Sequence, residues 1–188
     1  MRIFVTGSTG FIGRRTVTVL QSRGHQVVAL VRTYERARDL PRGIRAVPGD
    51  VTRPDSFKSA LAGCDAVIHL AAAMTLGPSR VERERLTRIN VDGARAVREA
   101  AAAAGVGRFV HVSHVSAYGN RGASPVREGD RPDPAFADTF AGATRAKAQA
   151  EVMDAAATSG AAGIDSQEKG SLTACAVRPS SGTRRRNR

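Results

Sequence analysis

The 188-residue chain is long enough for one domain with a sizeable core, and with 4% aromatics and no Trp that core is expected to be aliphatic and alanine-rich. Its formal charge of +12, from 29 Lys and Arg against 17 Asp and Glu, raises nucleic acid as a partner. Yet apart from the terminal run of Arg184, Arg185, Arg186 and Arg188 the arginines are scattered, no aromatics interleave with them and no nucleic-acid motif occurs, so the excess reads as solvated surface.

Arg2 to Val5 run apolar like a short buried strand. Thr6-Gly7-Ser8-Thr9-Gly10 breaks it, and Phe11-Ile12-Gly13 opens a helix to about Arg23. A strand, a glycine turn and a helix N-terminus make an anion site, because free N–H groups and the positive end of the helix dipole converge there. Gly7 permits the tight turn, Gly10 lets backbone approach a pyrophosphate, and Gly13 lets the helix pack on the strand. The spacing is G-x-x-G-x-x-G, which an ordinary βα turn would also carry; its setting between strand and helix points to a dinucleotide.

Gly24 is expected to close the first helix, and Gln26–Val31 forms a second strand, β-branched and apolar. At its end stand Arg32 and, at the start of a short helix, Arg36. A basic residue here suits the 2′-phosphate of NADP, where an acidic one would hold the ribose hydroxyl of NAD; NAD stays open, as does a plain exposed Arg pair. Gly43–Val47 reads as a third strand, with Asp50 and Val51 at its carboxyl end. Asp50 is either an acceptor for an adenine amino group or a turn Asp. Pro54–Ala62 reads as a short helix capped by Thr52 or Asp55.

Asp65–Leu70 is the fourth strand, followed by Ala71-Ala72-Ala73, small residues that let a ligand lie on the backbone. His69 reads as a satisfied strand histidine. Residues 79–104 form one long helix whose inward face carries Leu86, Ile89, Asn90, Ala94 and Val97. Asn90, a buried amide, must be hydrogen-bonded and is expected to organise backbone or water. Arg108–Val112 is the fifth strand, leading into Ser113-His114-Val115-Ser116-Ala117-Tyr118. Loop is expected at 120–138, a helix from Ala141 to about Ser159 holding Lys147, an irregular linker at 160–171, and a sixth strand over 172–179. Alternating strands and helices argue for a Rossmann-type doubly wound parallel sheet, strand order 3-2-1-4-5-6. Cys64 and Cys175 lack disulfide or metal spacing and read as buried thiols of a cytoplasmic protein. No leader and no membrane-spanning run is read in the chain.

Thr6 to Gly13, Gly49-Asp50-Val51, Val67 to Ala72, Asn90-Val91-Asp92-Gly93, Phe109 to Gly119, Thr144 to Glu151 and Val177-Arg178-Pro179 together resemble one family. It is the extended short-chain dehydrogenase/reductases of the NAD(P)-dependent epimerase/dehydratase group. The resemblance covers nearly the whole chain and implies a dinucleotide held by Gly7, Thr9, Gly10, Phe11, Ile12, Gly13, Arg32, Asp50, Val51, Leu70, Ala71, Ala72, Asn90 and Lys147. It also implies hydride transfer at an alcohol or ketone, typically of a nucleotide sugar. A homodimer through helices 79–104 and 141–159 would follow the same pattern.

That chemistry uses a Tyr-x-x-x-Lys helix with a Ser or Thr four residues before a Tyr-Gly pair. Lys147 aligns with the family lysine, but Ala143 stands where the Tyr belongs and His114 where the Ser belongs, with Ser113 beside it. His114 is a candidate acid/base, or a strand-end histidine bonded to backbone. The family continues well past the Arg-Pro pair, whereas here Arg-rich residues 180–188 follow, an expected disordered tail after a domain of residues 1–179. The expectation is an NAD(P)-binding member of the family with its substrate domain largely missing. A catalytically silent NADP sensor or partner subunit, and a non-functional truncated fragment, are the alternatives.

Overall fold

The structure, a computed structural model, describes residues 1–75, 79–118, 127, 130–132, 140–158 and 174–177. Six strands form one sheet: β1 (Arg2–Thr6), β2 (Gln26–Val31), β3 (Arg45–Pro48), β4 (Ala66–His69), β5 (Arg108–Val112) and β6 (Ala174–Val177). Their order is β3-β2-β1-β4-β5-β6, as expected, and β1 to β5 all run parallel. The helices are α1 (Phe11–Ser22), α2 (Arg80–Thr87), α3 (Gly93–Ala103) and α4 (Phe140–Thr158).

Alternation along β1 shows why the sheet is covered on both faces. Ile3 and Val5 point to one side, where Val17 and Leu20 of α1 pack with Val27 and Ala66. Phe4 points to the other, against Phe57, Leu61, Val67, Val97 of α3, Phe109 and Val152 of α4. Burying the fully enclosed Phe4, Val17, Phe57 and Val97 side chains contributes roughly 1.5–3 kcal/mol each before conformational entropy is subtracted. A chain with few aromatics thus places Phe4, Phe57 and Phe109 in one layer. Gly24 (φ 76) closes α1, donating to the Gln21 carbonyl while His25 donates to that of Leu20. Cys64 is a buried free thiol, and burial pushes its pKa up.

Four expectations are corrected. β6 pairs with β5 antiparallel, Val112 opposite Ala174, so the sheet is parallel over five strands rather than six. An edge strand has one neighbour only, and either direction fills its ladder; antiparallel edges on parallel sheets are common. Residues 54–62 form two 3₁₀ turns, Pro54–Ser56 and Lys58–Leu61, instead of one helix. Phe57 breaks them with φ −138° because its ring must enter the core, where it is 0% exposed. Neither Thr52 nor Asp55 caps them. The third strand begins at Arg45 rather than Gly43, whose φ of 86° is outside strand geometry. The long helix at 79–104 is interrupted by a π-helical turn at Arg88–Asp92.

The linker at 160–171, the tail at 180–188 and the side chains of Ser116, Ala143 and Cys175 lie outside what the structure describes, as does most of the 120–138 loop. Among the described residues no helix is long and apolar enough to cross a membrane, and no cluster of His, Cys, Asp or Glu could hold a metal.

Candidate functional site

The turn after β1 is built by close backbone approach. A Cβ on Gly7, at φ 68°, would lie 2.6 Å from the Ala71 nitrogen and 2.7 Å from the Leu70 carbonyl carbon. A Cβ on Gly13 would overlap the Gly7 carbonyl oxygen, so the helix crosses directly over the turn. That same oxygen accepts the Gly10 N–H at 3.0 Å. Side chains fix the turn to its neighbours on both flanks. The buried Ser8 hydroxyl donates to the Leu30 carbonyl of β2 at 3.1 Å. The Thr6 hydroxyl accepts the Ala71 N–H at 3.2 Å and meets His69 Nδ1 at 2.9 Å, tying β1 to β4. His69, within the strand, stacks on His111 at 5.5 Å. No side chain caps α1 and no acid occupies its first turn, so the positive end of the helix stays uncompensated.

A cleft of about 440 Å³ opens over the carboxyl ends of β1 to β4, where the winding reverses between β1 and β4. Of the residues singled out by sequence, Gly7, Thr9, Gly10, Arg32, Asp50, Val51, Leu70, Ala71 and Ala72 line it together. Ala73, read with Ala71 and Ala72 as backbone on which a ligand can lie, lines it too, whereas Leu30, Gly49, Met74, Arg85 and Ile89 line it without having been singled out as ligand contacts. Glycine-cleared amides, apolar walls and two arginines suit a phosphate-bearing ligand with a flat base. Asp50 is the cleft's carboxylate. Burial works to raise its pKa, but the Thr52 N–H (2.9 Å), the Thr52 hydroxyl (2.8 Å) and the charges of Arg53 and Arg32 outweigh it and hold the carboxyl below its usual range. Asp50 therefore holds its own turn through Thr52 and also faces the cleft.

The remaining candidates stand elsewhere. Phe11 is 98% exposed and Ile12 is also exposed, both on the outer side of α1 away from the cleft lining. Gly13 lies beneath the turn, and Asn90 behind the cleft wall. Asn90 Nδ2 donates to the Ala73 carbonyl at 2.9 Å and to the Thr144 hydroxyl at 2.9 Å, while its Oδ1 accepts the Ala73 N–H at 2.7 Å. This pair of hydrogen bonds to one residue mimics a strand pair and holds the loop after β4 at the cleft's edge. Asn90→Leu leaves both Ala73 groups without partners and is expected to lower stability by roughly 2–4 kcal/mol in urea unfolding; a loss below about 1 kcal/mol would show the loop held by something else.

Lys147 is exposed on α4, and α4 is tied to α3 by the two-pronged pair of Arg95 and Glu151 (2.7 and 3.0 Å). Buried Gln149 donates to the Tyr118 hydroxyl at 2.6 Å, joining α4 to the turn after β5. Ser113 is 1% exposed, and its hydroxyl has no hydrogen-bond partner among the described residues. His114 is half-buried, its carbonyl accepting the Ala117 N–H at 2.9 Å. None of these three lines the cleft as described.

Comparison with known proteins places this arrangement. A profile described as "NAD dependent epimerase/dehydratase family" matches residues 3–180. A 4-hydroxy-2-methyl-3-oxo-4-farnesyl-3,4-dihydroquinoline-1-oxide ketoreductase of Stigmatella aurantiaca is 36% identical over 81% of this chain and 45% of its own. A 3-beta-hydroxysteroid dehydrogenase of Mycolicibacterium neoaurum is 34% identical over 95% of this chain and 47% of its own. Among solved structures, a short-chain dehydrogenase/reductase superfamily protein from Agrobacterium tumefaciens with bound NAD superposes with TM-score 0.70 at 31% identity, covering 83% of this chain and 45% of that one. A UDP-glucose-4-epimerase from Stenotrophomonas maltophila with bound NAD and formylated UDP-arabinopyranose gives 0.73 at 27%, covering 84% and 49%. The chain spans about half the length of the curated relatives it matches.

Proposed function

This chain belongs to the NAD dependent epimerase/dehydratase family, and from that premise we propose that it binds a nicotinamide dinucleotide over β1 to β4, NADP in preference to NAD. The observation that carries the reading is the turn itself, whose glycines leave no room for a Cβ against β4 and α1 and so bring bare amides to the cleft. Gly7, Thr9, Gly10 and the backbone of Phe11, Ile12 and Gly13 would hold the pyrophosphate. Asp50 and Val51 would face the adenine, and Leu70, Ala71 and Ala72 would carry the middle of the ligand, with Asn90 positioning their loop. Arg32, at the end of β2, would pair with the 2′-phosphate. Calorimetric titration is expected to show NADP binding about tenfold tighter than NAD, with Arg32→Ala erasing the difference by weakening NADP alone. Equal affinities in the unaltered chain would remove the NADP preference, and binding of neither would remove the reading.

When bound, such a cofactor supplies hydride transfer, and the family setting suggests an alcohol or ketone of a nucleotide-sugar-like molecule as its counterpart. Lys147 would hold the nicotinamide ribose. His114 is the proton donor this chain offers nearest the family's Ser position, since the buried Ser113 hydroxyl turns away from solvent. Unchanged turnover in His114→Ala would dismiss it.

A second reading rests on Ala143. An alanine one turn before Lys147 has no proton to give, and losing general acid/base catalysis costs roughly 10² to 10⁴-fold. By that reading the chain is a silent NADP-binding sensor or partner subunit, dimerising through α2–α3 and α4. Tight NADP binding without turnover on ketones and sugar nucleotides would support it. A cytoplasmic setting suits either reading, Cys64 standing as a buried thiol.

A further inference from the structure

Arg85 reaches the cleft from a helix whose other charges are already committed. In α2 (Arg-Val-Glu-Arg-Glu-Arg-Leu-Thr) Glu82 closes a capping box with Ser79, its carboxylate accepting the Ser79 N–H while the Ser79 hydroxyl accepts the Glu82 N–H, each at 3.3 Å. Glu84 pairs with Arg80 at 3.3 Å. The Arg85 guanidinium is left with no hydrogen bond or ion pair among the described residues, whereas those of Arg14, Arg95 and Arg131 all have carboxylate partners. Its neighbour Leu86, 0% exposed, locks the rotation of α2 and so keeps Arg85 on the cleft side with Ile89, one turn further on.

Strand order then decides what Arg85 can meet. With the sequence β3-β2-β1-β4, Arg32 and Asp50 lie to one side of the Gly7–Gly10 turn, and Met74 and α2 lie to the other. The 2′-phosphate end of a dinucleotide belongs to the β2 side and its pyrophosphate to the turn. The turn offers only amides and the fractional charge of a helix end, about half a unit, against two phosphate charges. We propose that Arg85 is a second phosphate-binding cation that clasps the pyrophosphate from the α2 side, a role separate from that of Arg32. The proposal rests on the dinucleotide reading above.

The test is calorimetric titration of the unaltered chain, Arg85→Ala, Arg85→Lys and Arg32→Ala with NADP, NAD and ADP, the last carrying a diphosphate but neither nicotinamide nor 2′-phosphate. Arg85→Ala is expected to weaken all three by about tenfold, the worth of one charge-assisted hydrogen bond, and Arg85→Lys by less. Arg32→Ala is expected to weaken NADP alone. Arg85 is exposed on a helix that alanine favours, so an unchanged thermal midpoint will show the fold intact. Arg85→Ala affinities equal to those of the unaltered chain, or a loss confined to NADP, overturn the proposal while leaving the dinucleotide reading standing. If the unaltered chain binds none of the three ligands, both fall together.

Discussion

Gly7→Ala is expected to remove measurable dinucleotide binding and to lower the stability of the chain by roughly 2–5 kcal/mol. Two costs combine. At φ 68° a residue with a side chain loses about 1–2 kcal/mol in the left-handed region. The added Cβ would also meet the Ala71 nitrogen at 2.6 Å and the Leu70 carbonyl carbon at 2.7 Å. Both obstacles are backbone, so no rotamer change relieves them, and overpacking of this kind costs about 1–3 kcal/mol. Relief requires β1 and β4 to separate, which stretches the Ala71 N–H to Thr6 hydroxyl bond and shifts the Gly7 carbonyl that positions Gly10 and α1. Gly24→Ala is the control. Its φ is 76°, but nothing lies within 4 Å of its Cβ position, so only the dihedral cost of about 1–2 kcal/mol is expected and binding survives. Urea unfolding and calorimetry on both variants decide the matter. A Gly7→Ala chain that binds NADP like the unaltered one would show that the turn is not the site.

What could be read in the sequence was what the chain decides locally. The glycine turn, Arg32 and Asp50 each sit at the end of a strand, and strand ends of a parallel sheet converge by topology, so the cleft residues foreseen come together without further information. Arg85 and Met74 escaped because their facing depends on how α2 and the loop before it pack. The signal available was faint: Leu86 of α2 and Ile89 of the π-helical turn after it mark one inward face, and Arg85 lies one turn before Ile89. Phe11 and Ile12 differ from the cleft residues foreseen in that their side chains leave the turn for solvent, so only their backbone stands beside it. The direction of β6 is set by a single neighbour at the sheet's edge, which strand propensity does not encode. The two 3₁₀ turns in place of one helix follow from a demand that only the assembled core makes, the burial of Phe57.

Ala143→Tyr is expected to raise carbonyl reduction with NADPH by 10² to 10⁴-fold over the unaltered chain, equivalent to about 3–5.5 kcal/mol off the barrier. The backbone needed for this is present: positions 143 and 147 lie one turn apart within α4 (Phe140–Thr158), and i, i+4 side chains share a face. A phenol placed there gains a proton to give to the substrate oxygen. The neighbouring Lys147 ammonium favours the phenolate and lowers its pKa toward the working range, where such groups are most effective. The helix is held in register by Gln149 on Tyr118 and by Glu151 on Arg95, so the new side chain meets an ordered scaffold. Two companions isolate the cause. Ala143→Phe adds the ring without the hydroxyl and is expected to gain nothing. Lys147→Met combined with Ala143→Tyr is expected to abolish most of the gain by returning the phenol to its ordinary pKa. Cofactor affinity should stay within a factor of about two in both Ala143→Tyr and Ala143→Phe, because the glycine turn and Arg32 that would hold the phosphates lie on other elements. A Tyr variant no faster than the Phe variant would leave the chain as a binding protein, with the lost hydroxyl only one of several parts its chemistry lacks.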